Sequence, residues 1–89
     1  MLKLRREGRF KKDVKNCVKR CYDMELMKNI IRKLSIPESL EKKHRPHPLT
    51  GNYSGYDECH ITSDWLLIYK QTDTELLLAR TGTHSDLFR

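Results

Sequence analysis

The longest apolar run in the chain, Trp65 to Tyr69, constrains the fold more than any other stretch. A strand of this kind has no polar face to turn to water, so it needs cover on both of its faces. The run therefore predicts a central strand of a sheet. Turn residues precede it at Thr62-Ser63 and follow it at Thr72-Asp73, which indicates hairpins to the neighbouring strands.

A strand with two different faces is predicted on each side of this run. The earlier one covers Tyr56 to Ile61, and the later one covers Glu75 to Thr81. Successive side chains of a strand point to opposite faces. The earlier strand should carry Tyr56, Glu58 and His60 on one face and Asp57, Cys59 and Ile61 on the other, and the later strand should carry Leu76, Leu78 and Arg80 together.

The beginning of the chain predicts a short strand and then a helix. Leu2 to Arg6 alternates apolar and basic residues, as a half-buried strand does, and Gly8 should end it. From Arg9 the apolar spacing becomes helical, with one stripe made of Phe10, Val14, Cys17, Val18 and Cys21. The residues largely off this stripe form a cationic side, made of Lys11, Lys12, Lys15, Lys19 and Arg20.

A second helix should begin after Asp23, which is a suitable N-cap, and should end at Pro37, which cannot continue the hydrogen-bond ladder. Its buried face is predicted to be Met24, Met27, Ile30, Ile31 and Leu34. The short connection between the two helices favours an antiparallel hairpin. Residues 35–53 contain several proline and glycine residues and predict an irregular linker, long enough to suggest a functional loop.

These elements predict one α+β domain over residues 1–89. Two N-terminal helices should pack on one face of a mostly antiparallel, twisted sheet of about four strands. The other face of the sheet should remain open as a shallow concave surface.

The charge is unevenly distributed along the chain. The net charge is +6, with +9 in residues 1–47 and −3 in residues 48–89. The basic half should attract a polyanion, although a solvated surface without function is the alternative. No apolar run is long enough to span a bilayer, and the odd number of cysteines, 3, argues against a disulfide framework. A cytoplasmic protein without membrane contact is predicted.

The stretch from His44 to Phe88 contains the groups that cleavage of RNA requires. RNA carries its own nucleophile, the 2′-hydroxyl, so cleavage needs a base, an acid and a fixed cation on the phosphate, without a metal. Histidine takes and gives a proton near neutral pH. The candidate catalytic residues are His47, Glu58, His60, Asp64, Arg80 and His84.

Four linked motifs then resemble a known family. They are His47-Pro48-Leu49-Thr50-Gly51, Gly55 to Ile61, Asp64 to Tyr69 and Arg80 to Phe88. Together they resemble the YafQ branch of the RelE superfamily of bacterial toxins. The resemblance implies a ribosome-dependent endoribonuclease that cleaves mRNA in the ribosomal A site without a cofactor. It also implies a cognate antitoxin that holds the toxin inactive and through which alone the toxin meets DNA.

The resemblance implies a role for each matched residue. His47, His60, His84 and Asp64 would be acid–base and orienting groups, Glu58 the acidic residue upstream of the strand histidine, Arg80 the phosphate-binding arginine, and Phe88 a terminal aromatic that holds substrate. The working hypothesis has His60 or His47 as base, His84 as acid and Asp64 fixing an imidazole tautomer. Further candidate substrate contacts are Tyr56, Lys42, Lys43 and Arg45.

Two other functions compete with this one. Cys17 and Cys21 lie one helical turn apart and Cys59-His60 could complete a zinc site, but packing on the apolar stripe explains both helical cysteines. No metal is therefore predicted. The second alternative is a non-catalytic RNA- or antitoxin-binding module acting in operon autoregulation. The presence of three histidines together with Arg80 and Phe88 favours catalysis over this module.

Overall fold

The computed structural model of the chain describes residues 1–36 and 40–88. The elements, in chain order, are β1 (Lys3–Arg6), α1 (Gly8–Lys19), α2 (Met24–Ser35), a 3₁₀ turn (Lys42–His44), β2 (His47–Pro48), a second 3₁₀ turn (Gly51–Tyr53), β3 (Asp57–Thr62), β4 (Trp65–Gln71), β5 (Glu75–Gly82) and α3 (His84–Leu87). The predicted α+β class is confirmed. Every helix in these described residues is too short or too polar to span a bilayer.

The described strands form one five-stranded sheet in the order β1-β5-β4-β3-β2. Only β1 runs parallel to its neighbour β5, and the other pairs are antiparallel. The sequence predicted about four strands, and the additional one is β2, a two-residue strand inside the stretch expected to be irregular. It pairs with β3 through His47 opposite Glu58 and Pro48 opposite Asp57.

The central position of β4 and the cover on both its faces are confirmed. On the helix side, Trp65, Leu67 and Tyr69 pack in one cluster with Phe10, Cys17, Met27, Ile30 and Leu34. On the opposite side, Leu66 and Ile68 pack with Ala79 and Leu87 under the half-buried Leu49, Tyr53 and Tyr56. The second face is therefore not as open as predicted, because α3 and the loop before β3 cover part of it.

The first helix differs from its predicted boundaries and stripe. The strand β1 ends before Gly8, as predicted, but the helix begins at Gly8, one residue earlier than predicted. Glycine is tolerated there because the first backbone N–H groups of a helix have no partner within it. Phe10 and Cys17 are buried, but Val18 is 56% exposed because it lies about 80° from Phe10 around the helix axis. Cys21 is exposed and lies beyond the helix end with a positive φ of 61°.

The second helix follows its predicted pattern closely. The Asp23 side chain accepts a hydrogen bond from the Glu25 backbone N–H at 3.1 Å, which confirms the N-cap. Three of the five predicted face residues are buried (Met27, Ile30 and Leu34), and the other two pack against the same cluster at partial exposure. The helix ends at Ser35, and Pro37 lies outside the described residues.

A β-bulge changes which face Arg80 occupies. Leu78 pairs with Tyr69 and Arg80 pairs with Ile68, so Ala79 is the extra residue of β5. Side chains at directly opposed positions share a face. Leu78 therefore lies on the helix side with Tyr69, and Arg80 lies on the opposite side with Ile68. The prediction that Arg80 shares a face with Leu76 and Leu78 is wrong, because alternation does not continue through a bulge.

The cysteines do not assemble into the zinc site that was considered. Cys17 and Cys59 are buried in the helix-side cluster, whereas Cys21 is exposed. Cys59 and His60 are consecutive strand residues and so point to opposite faces. Burial raises the pKa of Cys59 to about 12, so its thiol remains protonated. Within residues 1–36 and 40–88, no group of three His, Cys, Asp or Glu side chains is placed to hold a metal ion.

The contrast between Phe10 and Val18 gives a direct test of the core. Phe10→Ala should lower the free energy of unfolding by about 3–5 kcal/mol because it leaves a cavity under the sheet. Val18→Ala on the same helix should change it by less than about 0.5 kcal/mol. Urea denaturation followed by circular dichroism measures both values. Equal losses for the two variants would contradict this packing.

Candidate catalytic site

Three imidazoles from separate elements lie side by side on the sheet face opposite α1 and α2. His47 belongs to β2, His60 to β3, and His84 is the first residue of α3. The ring centroids of His47 and His60 are 6.4 Å apart, and those of His60 and His84 are 5.8 Å apart. The structure thus brings together the three histidines that the sequence selected.

Strand register explains why these residues meet. His47 lies opposite Glu58, Glu58 opposite Ile68, and Ile68 opposite Arg80, which makes one row across four strands. His60 belongs to the next row on the same face, because it lies two positions after Glu58 in the strand. The row depends on the short strand β2, which brings His47 to the edge of the sheet.

Glu58 is a buried carboxylate beside two imidazoles. Its relative exposure is 4%, and its Oε1 lies 3.3 Å from Nε2 of His47 and 4.0 Å from Nε2 of His60. Its Oε2 is buried and has no hydrogen-bond partner among the described residues. A buried carboxylate needs positive charge or a proton nearby to offset its lost hydration. The two imidazoles are the groups placed to supply them.

The tautomer of His47 follows from its second contact. Its Nδ1 lies 2.8 Å from the carbonyl oxygen of Arg45, which can only accept, so Nδ1 carries a hydrogen and donates it. Because Nδ1 donates to Arg45, the other ring nitrogen, Nε2, is the one available for proton transfer, and it lies 3.3 Å from Oε1 of Glu58.

His84 is held by a different carboxylate. Asp64 Oδ1 accepts hydrogen bonds from the His84 backbone N–H at 3.0 Å and from its Nδ1 at 2.6 Å. These two hydrogen bonds lower the pKa of Asp64. Because Nδ1 donates to Asp64, Nε2 of His84 remains available for proton transfer. The position of His84 is also fixed by a capping box, in which Thr83 and Asp86 exchange backbone-to-side-chain hydrogen bonds.

Arg80 lies in the same row as Glu58 but is not between the imidazoles. Ile68 lies between Arg80 and Glu58 in this row. The Arg80 guanidinium instead binds Asp13 of α1, with Nε donating to Oδ2 at 2.6 Å and Nη2 to Oδ1 at 3.2 Å. Nη1 donates to the Tyr53 hydroxyl at 3.3 Å. Hydrogen bonding to Asp13 raises the pKa of Arg80. The site therefore has a histidine side and an arginine side.

Aromatic rings border the arginine side. Phe88 is 47% exposed, and its ring meets Tyr53 edge to face with centroids 6.1 Å apart. Tyr53 also meets Tyr56 at 6.4 Å, and the Tyr56 hydroxyl donates to Glu7 at 3.2 Å. Tyr56 and Phe88 were selected from sequence, whereas Tyr53 was not, although it contacts both rings and Arg80.

The predicted basic contacts flank the histidine side. Lys42 and Lys43 are exposed in the first 3₁₀ turn, and Arg45 follows in the left-handed conformation with a φ of 46°. The Arg45 carbonyl is the acceptor for His47, so this residue also contributes its backbone to the site. The three basic residues help to line a cavity of about 610 Å³ between the turn, α2 and the end of β3.

Two charged contacts of the site were not predicted from sequence. Asp13, which stands among lysines in α1, pairs with Arg80, and Asp86 of α3 pairs with Arg20. In both pairs the two residues are distant in the chain. No local pattern indicates such pairs, because they depend on how α1 crosses the sheet.

Comparison with known proteins places this geometry in a family. The family model described as "Bacterial toxin of type II toxin-antitoxin system, YafQ" matches residues 2–89. The "mRNA interferase toxin YafQ" of Escherichia coli strain K12 is 43% identical over 84 residues, covering 91% of this chain and 89% of the relative.

Solved structures agree with this match over nearly the whole length. A chain of the Escherichia coli DinJ-YafQ toxin-antitoxin complex has a TM-score of 0.91 at 39% identity, covering 99% of this chain and 98% of the other. A metal-bound toxin from Helicobacter pylori has a TM-score of 0.92 at 36% identity, covering 99% of this chain and 100% of the other. The resemblance found in the sequence motifs is confirmed, and the chain belongs to the YafQ family of bacterial type II toxin–antitoxin toxins.

Proposed function

We propose that this protein is a ribosome-dependent mRNA interferase, a metal-independent endoribonuclease that cuts mRNA in the ribosomal A site. The observation that carries the proposal is the cluster of three imidazoles, two of which lie beside the buried carboxylate of Glu58 while the third is bonded to Asp64. The name of the Escherichia coli relative, mRNA interferase toxin, supports the same activity. Such an enzyme acts where ribosomes translate, in the cytoplasm.

The reaction uses the sugar of the RNA as nucleophile. The 2′-oxygen loses its proton to a base and attacks the adjacent phosphorus, while the bond from phosphorus to the 5′-oxygen breaks and that oxygen takes a proton from an acid. The products are a 2′,3′-cyclic phosphate and a 5′-hydroxyl. His60 or His47, next to Glu58, serves as the base. His84 serves as the acid through Nε2, since Nδ1 donates to Asp64.

Charge and stacking groups complete the site. The Arg80 guanidinium retains N–H groups beyond those bound to Asp13 and Tyr53, and these stabilise the charge that grows on the phosphate oxygens. Phe88, half exposed next to Tyr53, and Tyr56 offer ring faces to a neighbouring base. Lys42, Lys43 and Arg45 on the other side contact the phosphates of mRNA or ribosomal RNA, and the exposed lysines of α1 add positive charge that attracts RNA.

The partner that controls this activity is a cognate antitoxin. The matched Escherichia coli structure is a complex of YafQ with DinJ, a toxin with its antitoxin. By analogy, this toxin is inhibited in a complex with its own antitoxin and reaches operator DNA only through it.

The first test of the proposal separates the two nitrogens of His84. His84→Asn keeps a donor near the place of Nδ1, so the contact with Asp64 survives, but it has no group equivalent to Nε2. Cleavage of mRNA in a translating extract should fall about 10²–10⁴-fold, because a general acid contributes roughly this factor. Mapping of transcript ends for the wild type and the variant measures the loss.

Two results would decide against this assignment. Unchanged cleavage by His84→Asn would remove Nε2 of His84 from the mechanism. An absence of new transcript ends with the wild type itself would favour the non-catalytic RNA- or antitoxin-binding module. Asp73→Asn, in the exposed turn between β4 and β5, serves as a control that should cleave like the wild type.

The contact between His84 and Asp64 predicts a shifted titration. Asp64 has a lowered pKa in the folded protein, so its favourable contact is complete above the ordinary aspartate value of about 3.9 and is lost as the pH falls through the lowered pKa. Carboxyl titration by NMR should place Asp64 below that ordinary value. In His84→Ala the titration midpoint of Asp64 should be higher than in the wild type, because the side-chain hydrogen bond is lost. An unchanged midpoint would contradict the contact between Asp64 and the His84 side chain.

The basic turn predicts a salt dependence of ribosome binding. Changing Lys42 and Lys43 to Gln should weaken binding to ribosomes and reduce the slope of log affinity against log salt by about 1–2, because each phosphate contact releases counterions. The measurement uses the His84→Asn background to prevent cleavage. The matched control changes Lys3 and Lys28, on other surfaces, to Gln. An equal change of slope in both pairs would contradict a specific role of the turn.

A further inference from the structure

Two residues of opposite charge lie on one face of α1, Asp13 within the helix and Arg20 at its C-cap. Asp13 and Arg20 are seven residues apart, which corresponds to two helical turns and places both side chains on the same side. Both side chains pair with the segment 80–86, which carries Arg80 and His84. The two pairs border a small cavity of about 210 Å³ at the end of β5.

The pair of Asp13 and Arg80 is largely buried and uses both carboxylate oxygens. The side chains are only 11% and 12% exposed, and the N···O distances are 2.6 and 3.2 Å. Asp13 Oδ2 also accepts from the Thr81 backbone N–H at 3.1 Å. The parallel strand β1 pairs with β5 only as far as Leu78, so Asp13 binds the β5 backbone beyond that pairing. One carboxylate thus fixes both the backbone and the guanidinium.

The second pair fixes the turn that carries His84. Arg20 donates from Nη1 to Asp86 Oδ2 at 2.6 Å and from Nη2 to Oδ1 at 3.2 Å. Asp86 also accepts from the Thr83 backbone N–H at 2.9 Å, which makes Arg20 the outer partner of the α3 capping box. The absence of a side chain at Gly82 permits this arrangement, because a Cβ there would lie 2.9 Å from Asp86 Oδ2.

The two pairs have different expected effects on stability and on geometry. Arg20 and Asp86 are 42% and 31% exposed, and ion pairs at such exposure contribute little to stability. Their bidentate geometry nevertheless restricts the orientation of the groups that they join. Two attachments also resist sliding of the segment along the helix, because a shift breaks the bidentate contacts at both Asp13 and Arg20.

We propose that Asp13 and Arg20 are positioning residues of the catalytic site: Asp13 orients Arg80 towards the scissile phosphate, and Arg20 holds the α3 turn so that His84 faces His60. This inference rests on the proposed ribonuclease function. Neither residue touches RNA in this scheme. Each acts through the residue or the turn to which it is bonded.

The test for Asp13 is a functional double-mutant cycle. Asp13→Asn should slow single-turnover cleavage on ribosomes about 10–100-fold, because small misplacements of a catalytic group cost factors of this size. Ribosome affinity should change no more than in Asp73→Asn, which makes the same change of charge in an exposed turn. In the Arg80→Ala background, Asp13→Asn should cause no further loss, because a residue that acts only through Arg80 has nothing left to position.

The test for Arg20 uses a conservative variant. Arg20→Lys keeps the charge but cannot bind both oxygens of Asp86 in a planar fork. It should slow cleavage several-fold, and Arg20→Gln should slow it more. Neither should cause a further loss in the His84→Asn background. Rates are corrected for the folded fraction, measured by thermal melting of each variant.

The outcomes separate this inference from the proposed function. If Arg80→Ala and His84→Asn abolish cleavage while Asp13→Asn and Arg20→Gln cleave like the wild type, the positioning roles are wrong and the ribonuclease remains. If Asp13→Asn slows cleavage by the same factor in the wild type and in the Arg80→Ala background, the proposed role of Asp13 is wrong as well. If Arg80→Ala and His84→Asn leave cleavage unchanged, the proposed function itself fails.

Discussion

The pairing of Ile68 with two neighbours is the constraint on which the candidate site depends. This buried residue of β4 lies opposite Glu58 on one side and opposite Arg80 on the other. Its side chain packs in the smaller of the two apolar clusters, so a slip of register by one residue would move it to the helix side. Burial on both faces of β4 therefore fixes the relative positions of a carboxylate and a guanidinium that are distant in the chain.

The strands and most of the site could be predicted because they follow local rules. Alternation placed Glu58 and His60 on one face, and the unbroken apolar run identified β4 as central. Three features escaped those rules for physical reasons. The strand β2 has two residues, too few for a periodic signal, and the bulge at Ala79 reverses the alternation before Arg80. The pairing of Asp13 with Arg80 is a tertiary contact between α1 and β5, which no local pattern encodes.

The sequence divided the chain into a basic half and a half that carries the chemistry, and the structure shows that the two are joined. Helix α1 supplies Phe10 and Cys17 to the core under the sheet, and its polar side holds both ends of the segment from Arg80 to Asp86. Hydrogen bonds from Arg20 and from the Thr83 backbone hold the pKa of Asp86 well below its ordinary value, so the carboxylate keeps its charge under any physiological condition. The helix thus contributes to folding through Phe10 and Cys17, and to the geometry of the site through the neighbouring Asp13 and its C-cap Arg20.

The unequal burial of the cysteines has a practical consequence. Cys17 and Cys59 are buried, and burial raises the pKa of both thiols, whereas Cys21 is exposed at the end of α1. Thiolates are the reactive form, so a maleimide dye added to the native protein should attach to Cys21 alone. The native sequence therefore offers a labelling position at the end of α1 without any engineered cysteine.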